Sequence, residues 1–273
     1  MLRDMTIGQY YPAQSKIHDL DPRVKIVAVL VYLISLFLFR GFAGYIVVTF
    51  FLVSAIAVSR VPLSFISKGL KPVLFLICFT AVYHLFFTKG DAVFEWELFS
   101  GHTLRVTWQG LKNGAFIILR LIYLVIGSSL LTYTTTPTKL TDGIESLLKP
   151  LGKLGVPVHD LAMMMSLALR FIPILLEEAN RIMKAQSARG ASFEEGNIVV
   201  RVRAITSILV PLLVSATRRS YDLALAMEAR CYHGGQGRTK MKPLKYQGSD
   251  VRAYVILVIY VAVLILVNHL APF

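Results

Sequence analysis

Charge is scarce in this sequence. Of its 273 residues only 16% are Asp, Glu, Lys or Arg, and just 16 are acidic. Soluble globular domains carry roughly 25% charged residues, so this composition excludes an ordinary soluble fold. Cysteine is nearly absent too. Cys78 falls in an apolar run and Cys231 in a basic segment, and two such residues form neither a disulfide framework nor a metal-ligand spacing.

Reactive constellations are missing as well. No GxxxxGK[ST] loop occurs, and the dense glycine stretch Gly234-Gly235-Gln236-Gly237 follows a predicted helix instead of joining a strand to one, which reads as a linker. His159-Asp160 has no serine, cysteine or second carboxylate at an interpretable spacing and reads as a helix-start pair. His84 and His269 lie near the ends of apolar runs and lack the further ligand that metal binding requires. An enzyme acting on lipid or prenyl groups would cluster carboxylates or histidines, which so few acidic residues do not supply. The first twenty residues are polar and turn-rich, without the apolar core of a cleavable signal peptide.

What is present is hydrophobic length. The chain is 55% hydrophobic, with mean hydropathy +0.62. Apolar runs at 24–39, 42–58, 73–87, 115–131 and 254–267 each approach the ~20 residues a spanning helix needs. The predicted fold is all-α: a polytopic membrane protein with about five transmembrane helices and a helical cytoplasmic coupling region. Arg40-Gly41 makes the first two spans a tight hairpin.

The net charge of +13 is not spread evenly, and where the basic residues fall sets the orientation. Arg3, Lys16, Arg23 and Lys25 precede the first span, and Arg60, Lys68 and Lys71 fill the loop before the third, so both segments read as cytoplasmic. Before the fourth span Lys89, Arg105 and Lys112 are offset by Asp91, Glu95 and Glu97, while Trp96 and Trp108 suit the bilayer interface; that loop reads as external. Residues 134–250 carry Lys139, Lys149, Lys153, Arg170, Arg181, Arg201, Arg203, Arg218, Arg219, Arg238, Lys240 and Lys242 and read as cytoplasmic, leaving the C-terminus outside. The predicted organisation is therefore 1–133 with four spans, 134–250 as coupling region and 251–273 as a last span. The basic excess is explained by this bias and by acidic lipid headgroups; no aromatic interleaving points to nucleic acid. Arg120 lies inside the fourth run, where an arginine costs at least ~2.5 kcal/mol, so it should face protein. Its expected roles are a contact to a partner span or substrate path, an internal contact with a helix carbonyl, Ser128 or Tyr123, or snorkelling.

Four helices are predicted within 134–250. Thr138 caps one that runs to Lys149, where Pro150 and Gly152 end it, and a turn over 151–157 follows. The second starts near Val158 and is apolar through Leu161, Met164, Met165, Ala168 and Leu169 until Pro173 breaks or kinks it. The Met163-Met164-Met165 run serves either as core filler or as an adaptable contact surface. The third carries a Glu177–Arg181 pair and ends at Arg189, with Gly190 as its stop. The fourth, 199–232 with Pro211 inside, has an apolar stripe of Leu209, Leu212, Ala216, Leu223 and Met227, with Arg218, Arg219, Asp222 and Glu228 on other faces.

Two of these helices close on a similar tripeptide, Ala188-Arg189-Gly190 and Ala229-Arg230-Cys231. An arginine fork engages a carboxylate through two hydrogen bonds and keeps its charge at cellular pH. Arginine also ends helices simply because it favours the negative end of the dipole. Small neighbours on both sides, twice over, go beyond that need and let a groove wall approach the backbone. Interfacial anchoring explains the apolar helix faces but not the paired arginine ends.

Wider motifs accompany the tripeptides. They are Gly8-Gln9-Tyr10, Ser15, His18-Asp19-Leu20-Asp21-Pro22-Arg23-Val24-Lys25, Thr134-Thr135-Thr136-Pro137, Leu169-Arg170-Phe171-Ile172-Pro173, Glu177-Glu178-Ala179, Ala185-Gln186-Ser187 and Leu225-Ala226-Met227-Glu228. Together they resemble the transmembrane T component (EcfT) family of energy-coupling factor importers of vitamins and metals. The resemblance implies a non-catalytic scaffold in the cell membrane, partnered by two cytoplasmic ABC-type ATPases, expected to be non-identical, and one substrate-binding S component. It implies no cofactor in this chain, since ATP and magnesium belong to the ATPases. It implies that Ala188, Arg189, Gly190, Ala229, Arg230 and Cys231 seat in ATPase grooves, and that Ile144, Leu147, Leu148, Met164, Met165 and Leu169 face the S component. The expected cargo is a vitamin; the alternatives are a dedicated cobalt or nickel importer or, outside the family, a self-sufficient secondary transporter. Cys231 departs from the glycine of the family pattern. A left-handed cap is costlier there, so the helix is expected to continue to Tyr232 or His233 and stop at Gly234.

Overall fold

The computed structural model describes residues 10–39, 41–87, 92–98, 102–191, 193, 197–234, 241 and 243–270, with backbone alone for 86–87, 92–98 and 102–106. Gly8, Gln9, Arg40, Gly235 to Gly237, Arg238, Lys240 and Lys242 lie outside the described residues, as do the side chains of Trp96, Glu95, Glu97 and Arg105. The described elements run α1 (Pro22–Leu38), α2 (Phe42–Ser59), α3 (Leu63–Phe87), β1 (Ala92–Leu98), β2 (His102–Thr107), α4 (Trp108–Thr134), α5 (Pro137–Leu148), a 3-10 segment (Lys149–Leu154), α6 (Val158–Ala188), α7 (Ile198–Glu228) and α8 (Gly248–Leu270).

The expected polytopic helical architecture is present. Among the described residues six helices, α2, α3, α4, α6, α7 and α8, are long and apolar enough by length and composition to cross a membrane. At 17 residues and about 26 Å, α1 is one residue shorter than α2 and lies at the short end of the range for a span. Conversely, α6 and α7 qualify because each runs unbroken for 31 residues through its internal proline, Pro173 or Pro211. Two separate helices were expected around Pro173; one forms. Proline removes a single backbone donor, and the long apolar and polar faces on both sides hold the helix together.

Local chemistry sets the remaining boundaries. Asp21 caps α1 by accepting the Arg23 N–H, with Pro22 at the first turn. Arg60 ends α2 in the left-handed region at φ 57°, and α3 then begins at Leu63, so Lys68 and Lys71 are helical instead of lying in a loop. The segment between α3 and α4 holds an unexpected antiparallel hairpin pairing Phe94 with Val106 and Trp96 with Leu104. Thr136, not Thr138, caps α5: its Oγ1 accepts the Lys139 N–H at 3.4 Å and its carbonyl accepts the Leu140 N–H at 2.9 Å. Gly155, at φ 87°, closes the 3-10 segment where a turn was expected.

Two compact units divide the described residues: Ile144–Pro243, and the residues from 10 to 143 together with those from 244 to 270. In the latter, α1, α2 and α8 share a core of Tyr32, Leu36, Phe39, Tyr45, Val48, Leu52, Leu257, Tyr260 and Leu264. Polar side chains inside it are bonded internally, as a lipid solvent demands. Tyr32 Oη donates to the Tyr123 carbonyl, Tyr45 Oη to the Phe116 carbonyl, and Ser35 Oγ meets Tyr260 Oη at 2.7 Å. A Cβ at Gly127 would collide with the Tyr32 ring, so glycine sets how closely α1 and α4 approach. The Arg120 guanidinium lies 5.2 Å from the Phe37 ring centroid, a cation–π contact; Ser128 Oγ donates to the Val125 carbonyl instead.

The motif around His18 to Lys25 forms a buried polar knot in this unit. Lys25 Nζ donates to the carbonyls of His18 and Thr134, both at 3.0 Å. Asp250 accepts the Asp21 N–H at 2.9 Å and the Gln247 N–H at 2.7 Å. His18 Nε2 donates to the Tyr11 carbonyl at 3.0 Å and its Nδ1 accepts from Ser15 Oγ at 2.7 Å, an assignment fixed because a carbonyl only accepts. Burial pushes the His18 pKa down. Arg23 pairs with Asp21 at 3.0 Å and lies 4.0 Å over the Tyr246 ring. These contacts tie the leading segment to α1, the end of α4 and the start of α8.

Candidate functional site

The unit 144–243 carries both tripeptides, and its two long helices end alike. At the end of α6 the Arg189 N–H donates to the Gln186 carbonyl at 3.0 Å, Gly190 N–H to Ser187 at 3.0 Å and Ala191 N–H to Gln186 at 3.0 Å. At the end of α7 the same three bonds recur: Arg230 N–H to Met227 at 3.1 Å, Cys231 N–H to Glu228 at 2.8 Å and Tyr232 N–H to Met227 at 3.0 Å. Gly190 (φ 89°) and Cys231 (φ 55°) take the left-handed conformation at matching positions. Both ends are therefore Schellman closures, with the arginine as the last residue before the reversal.

This corrects the expected end of α7. The helix does not continue to Tyr232 or His233; it ends at Glu228 and Cys231 adopts the conformation that glycine would favour. The cost for a residue with a Cβ is about 1–2 kcal/mol. Two backbone bonds that satisfy otherwise orphaned carbonyls offset it. Tyr232 and Met227, the two positions that carry the apolar contact of such an end, are both half-buried.

Ala188, Arg189, Gly190, Ala229, Arg230 and Cys231 are all exposed. Among the described residues neither arginine meets a carboxylate. Each thus presents an unspent cation on a backbone whose direction is fixed by three hydrogen bonds.

Between the two ends, α6 and α7 pack together, and Arg219 Nη2 donates to Glu178 Oε2 at 3.2 Å. The predicted face of α7 is half-buried at Leu212, Ala216, Leu223 and Met227, whereas Leu209 is 59% exposed. Arg219 lies on this stripe, not off it, since residues 212, 216, 219, 223 and 227 recur at helical spacing. The expected partner of an acidic residue on α6 was Arg181; the ion pair found is the interhelical one through Glu178.

A second surface surrounds the joint between α5 and α6, which His159 Nδ1 and Glu145 Oε1 fasten at 3.0 Å. Leu148, Met164 and Met165 are exposed there, and Ile144, Leu147 and Leu169 are half-buried. The structure adds Leu151, Leu154 (82% exposed) and Leu161 to the outward set. Their apolar character was visible in the sequence, but the 3-10 segment that carries Leu151 and Leu154 was not.

Comparison with known proteins gives a consistent answer. The family model CbiQ, cobalt transport protein, matches residues 13–241. The energy-coupling factor transporter transmembrane protein EcfT of Clostridium kluyveri is 51% identical over 268 residues, covering 97% of this chain and 97% of its own. Proteins of that name from Thermosediminibacter oceani and Bacillus subtilis are 48% identical over 254 residues and 45% identical over 265 residues. They cover 93% and 97% of this chain and 94% and 98% of their own lengths.

Proposed function

Since the chain belongs to the EcfT family of energy-coupling factor transporter transmembrane components, non-catalytic multi-pass membrane subunits, we propose that Arg189 and Arg230 are its seats for two ABC-type ATPases. The observation that carries this reading is the identical three-bond closure that holds each exposed, unpaired arginine. A groove offering a carboxylate would engage each fork bidentately, and small neighbours admit the groove wall to the backbone. Ala188, Gly190, Ala229 and Cys231 are those neighbours.

ATP binding draws the two ATPases together, and the arginines pass that movement into α6 and α7. The apolar surface of Ile144, Leu147, Leu148, Met164, Met165 and Leu169 then shifts beneath an S component, which tilts and releases its vitamin inward. In this reading the coupling region of 134–250 and the N-terminus face the cytoplasm and the C-terminus faces outward, in keeping with the basic residues of that region. The span regions 1–133 and 251–273 anchor the assembly in the bilayer. A cobalt or nickel cargo is the second reading; the description of the matching family model names cobalt.

The test is ATP-driven uptake in proteoliposomes of the complex carrying Arg189→Ala with Arg230→Ala, beside co-purification of the ATPases. Uptake should vanish; undiminished uptake overturns the proposal.

A further inference from the structure

A cavity of about 800 Å³ lies within the span unit, outside everything the coupling reading uses. Its walls are apolar and come from four helices, among them Ala28 and Val29 of α1, Ala55 of α2, Leu131 of α4 and Ile256 of α8. One end is of another character. Lys16, Lys25 and Arg252 line it against a single carboxylate, Asp19. This is the end where α1 begins, α4 stops and α8 begins, and from Lys25 to Tyr32 the cavity follows α1 for about 10 Å.

The three cations are not equivalent. Lys25 is only 5% exposed, and its ammonium spends two of its three donors on the carbonyls of His18 and Thr134. Both hydrogen-bond partners are neutral; Asp19, Asp21 and Asp250 act on the ammonium through space, Lys139 opposes them, and none of these carboxylates is hydrogen-bonded to it. Lys16 and Arg252 are exposed, and among the described residues neither is paired with a carboxylate. An apolar pocket opening beside three such cations, in a chain that lives in a bilayer, matches a molecule with an anionic head and a hydrocarbon tail.

We propose that this cavity is a binding site for one anionic phospholipid, its phosphate at Lys16, Lys25 and Arg252 and an acyl chain between α1, α2, α4 and α8. The charge pattern favours it over a neutral lipid, which would leave the cations unanswered. Since the walls reach α4 and α8 as well as α1, a seated acyl chain fills space that side chains leave empty.

The test uses the full-length chain in its complex, reconstituted in phosphatidylcholine vesicles with a trace of phosphatidylglycerol bearing a photo-activatable acyl chain. Cross-links should map to cavity residues such as Ala28 and Ile256. Each surface cation contributes about five-fold in affinity, so Lys16→Gln with Arg252→Gln should lower labelling about 25-fold. Both positions are exposed, and an unchanged melting temperature in detergent verifies that the variant is folded. Ala55→Trp, which fills the cavity without altering charge, should abolish labelling in a variant that passes the same check. Equal labelling by photo-activatable phosphatidylcholine, labelling insensitive to the double substitution, or occupation of the cavity by a partner's side chains in the complex would each overturn the site.

Discussion

In the span unit Lys25, His18 and Asp250 are buried and held by named backbone and side-chain partners, whereas in the unit 144–243 Arg189 and Arg230 stand exposed. Apolar side chains divide by what they enclose, for the span unit also turns out Ile46, Phe50 and Phe75, as a lipid-facing surface does. The first unit encloses a nine-residue core; in the second, the buried apolar residues on the two long helices are Val158, Ala162, Ala179 and Ala204, with Leu209, Leu213, Met164 and Leu154 turned out. Buried polar groups bonded to named partners fix the first unit around α1, α4 and α8. The second unit has few buried apolar residues on its long helices and ends both in exposed arginines, and contiguous exposed apolar residues of this kind mark protein or membrane contacts.

Substitutions should separate the two behaviours. The largest effect is expected from removing both tripeptide arginines: a buried ion pair that loses one member costs about 3–5 kcal/mol, so ATPase co-purification should fall more than 100-fold while the chain's own melting is unchanged. A parallel drop in melting temperature would refute the division. Asp250→Ala should do the reverse. It strips acceptors from the Asp21 and Gln247 N–H groups, which should cost about 2–3 kcal/mol in thermal unfolding of the isolated chain and leave arginine-dependent capture intact in the fraction still folded.

Cys231→Gly should raise stability modestly. It relieves a left-handed residue worth about 1 kcal/mol, partly countered by added freedom in the unfolded chain. If the substitution instead destabilises strongly, the thiol has a contact of its own, and hydrogen exchange at the end of α7 would reveal it. The smallest effect is a pH dependence from His18. Its folded pKa lies below the ordinary 6.5, so the unfolded chain takes up the proton first on acidification. Stability from this group is full above 6.5 and declines as pH falls below it. His18→Gln should flatten that slope in thermal melts between about pH 7 and about pH 5.

The parts of this fold legible in the sequence are those set by composition over short distances. Hydropathy located α2, α4 and α8 and the apolar half of α3, and glycine marked the stop after Arg189. Lys68 and Lys71 hid the first two turns of α3, because a count of apolar residues does not register that lysine stems extend along a helix and carry the charge outward. The hairpin had a readable signal, since Phe94, Trp96 and Leu98 alternate with Glu95 and Glu97 and Leu104 and Val106 alternate with Thr103 and Arg105. Asp250 was invisible as a partner of Asp21, for the two are 229 residues apart. The arginine tripeptides were recognisable as a pair from their neighbours, but their equivalence rests on backbone bonds that override the preference of Cys231.

Because α6 is a single helix, Met164 and Arg189 belong to one rod, 25 residues apart and so about 37 Å. Leverage follows from that length. A rotation of about 5° about the Met164 end carries the arginine through about 3 Å, on the order of one hydrogen-bond length. Had Pro173 divided the element, the same swing would have been absorbed at the joint.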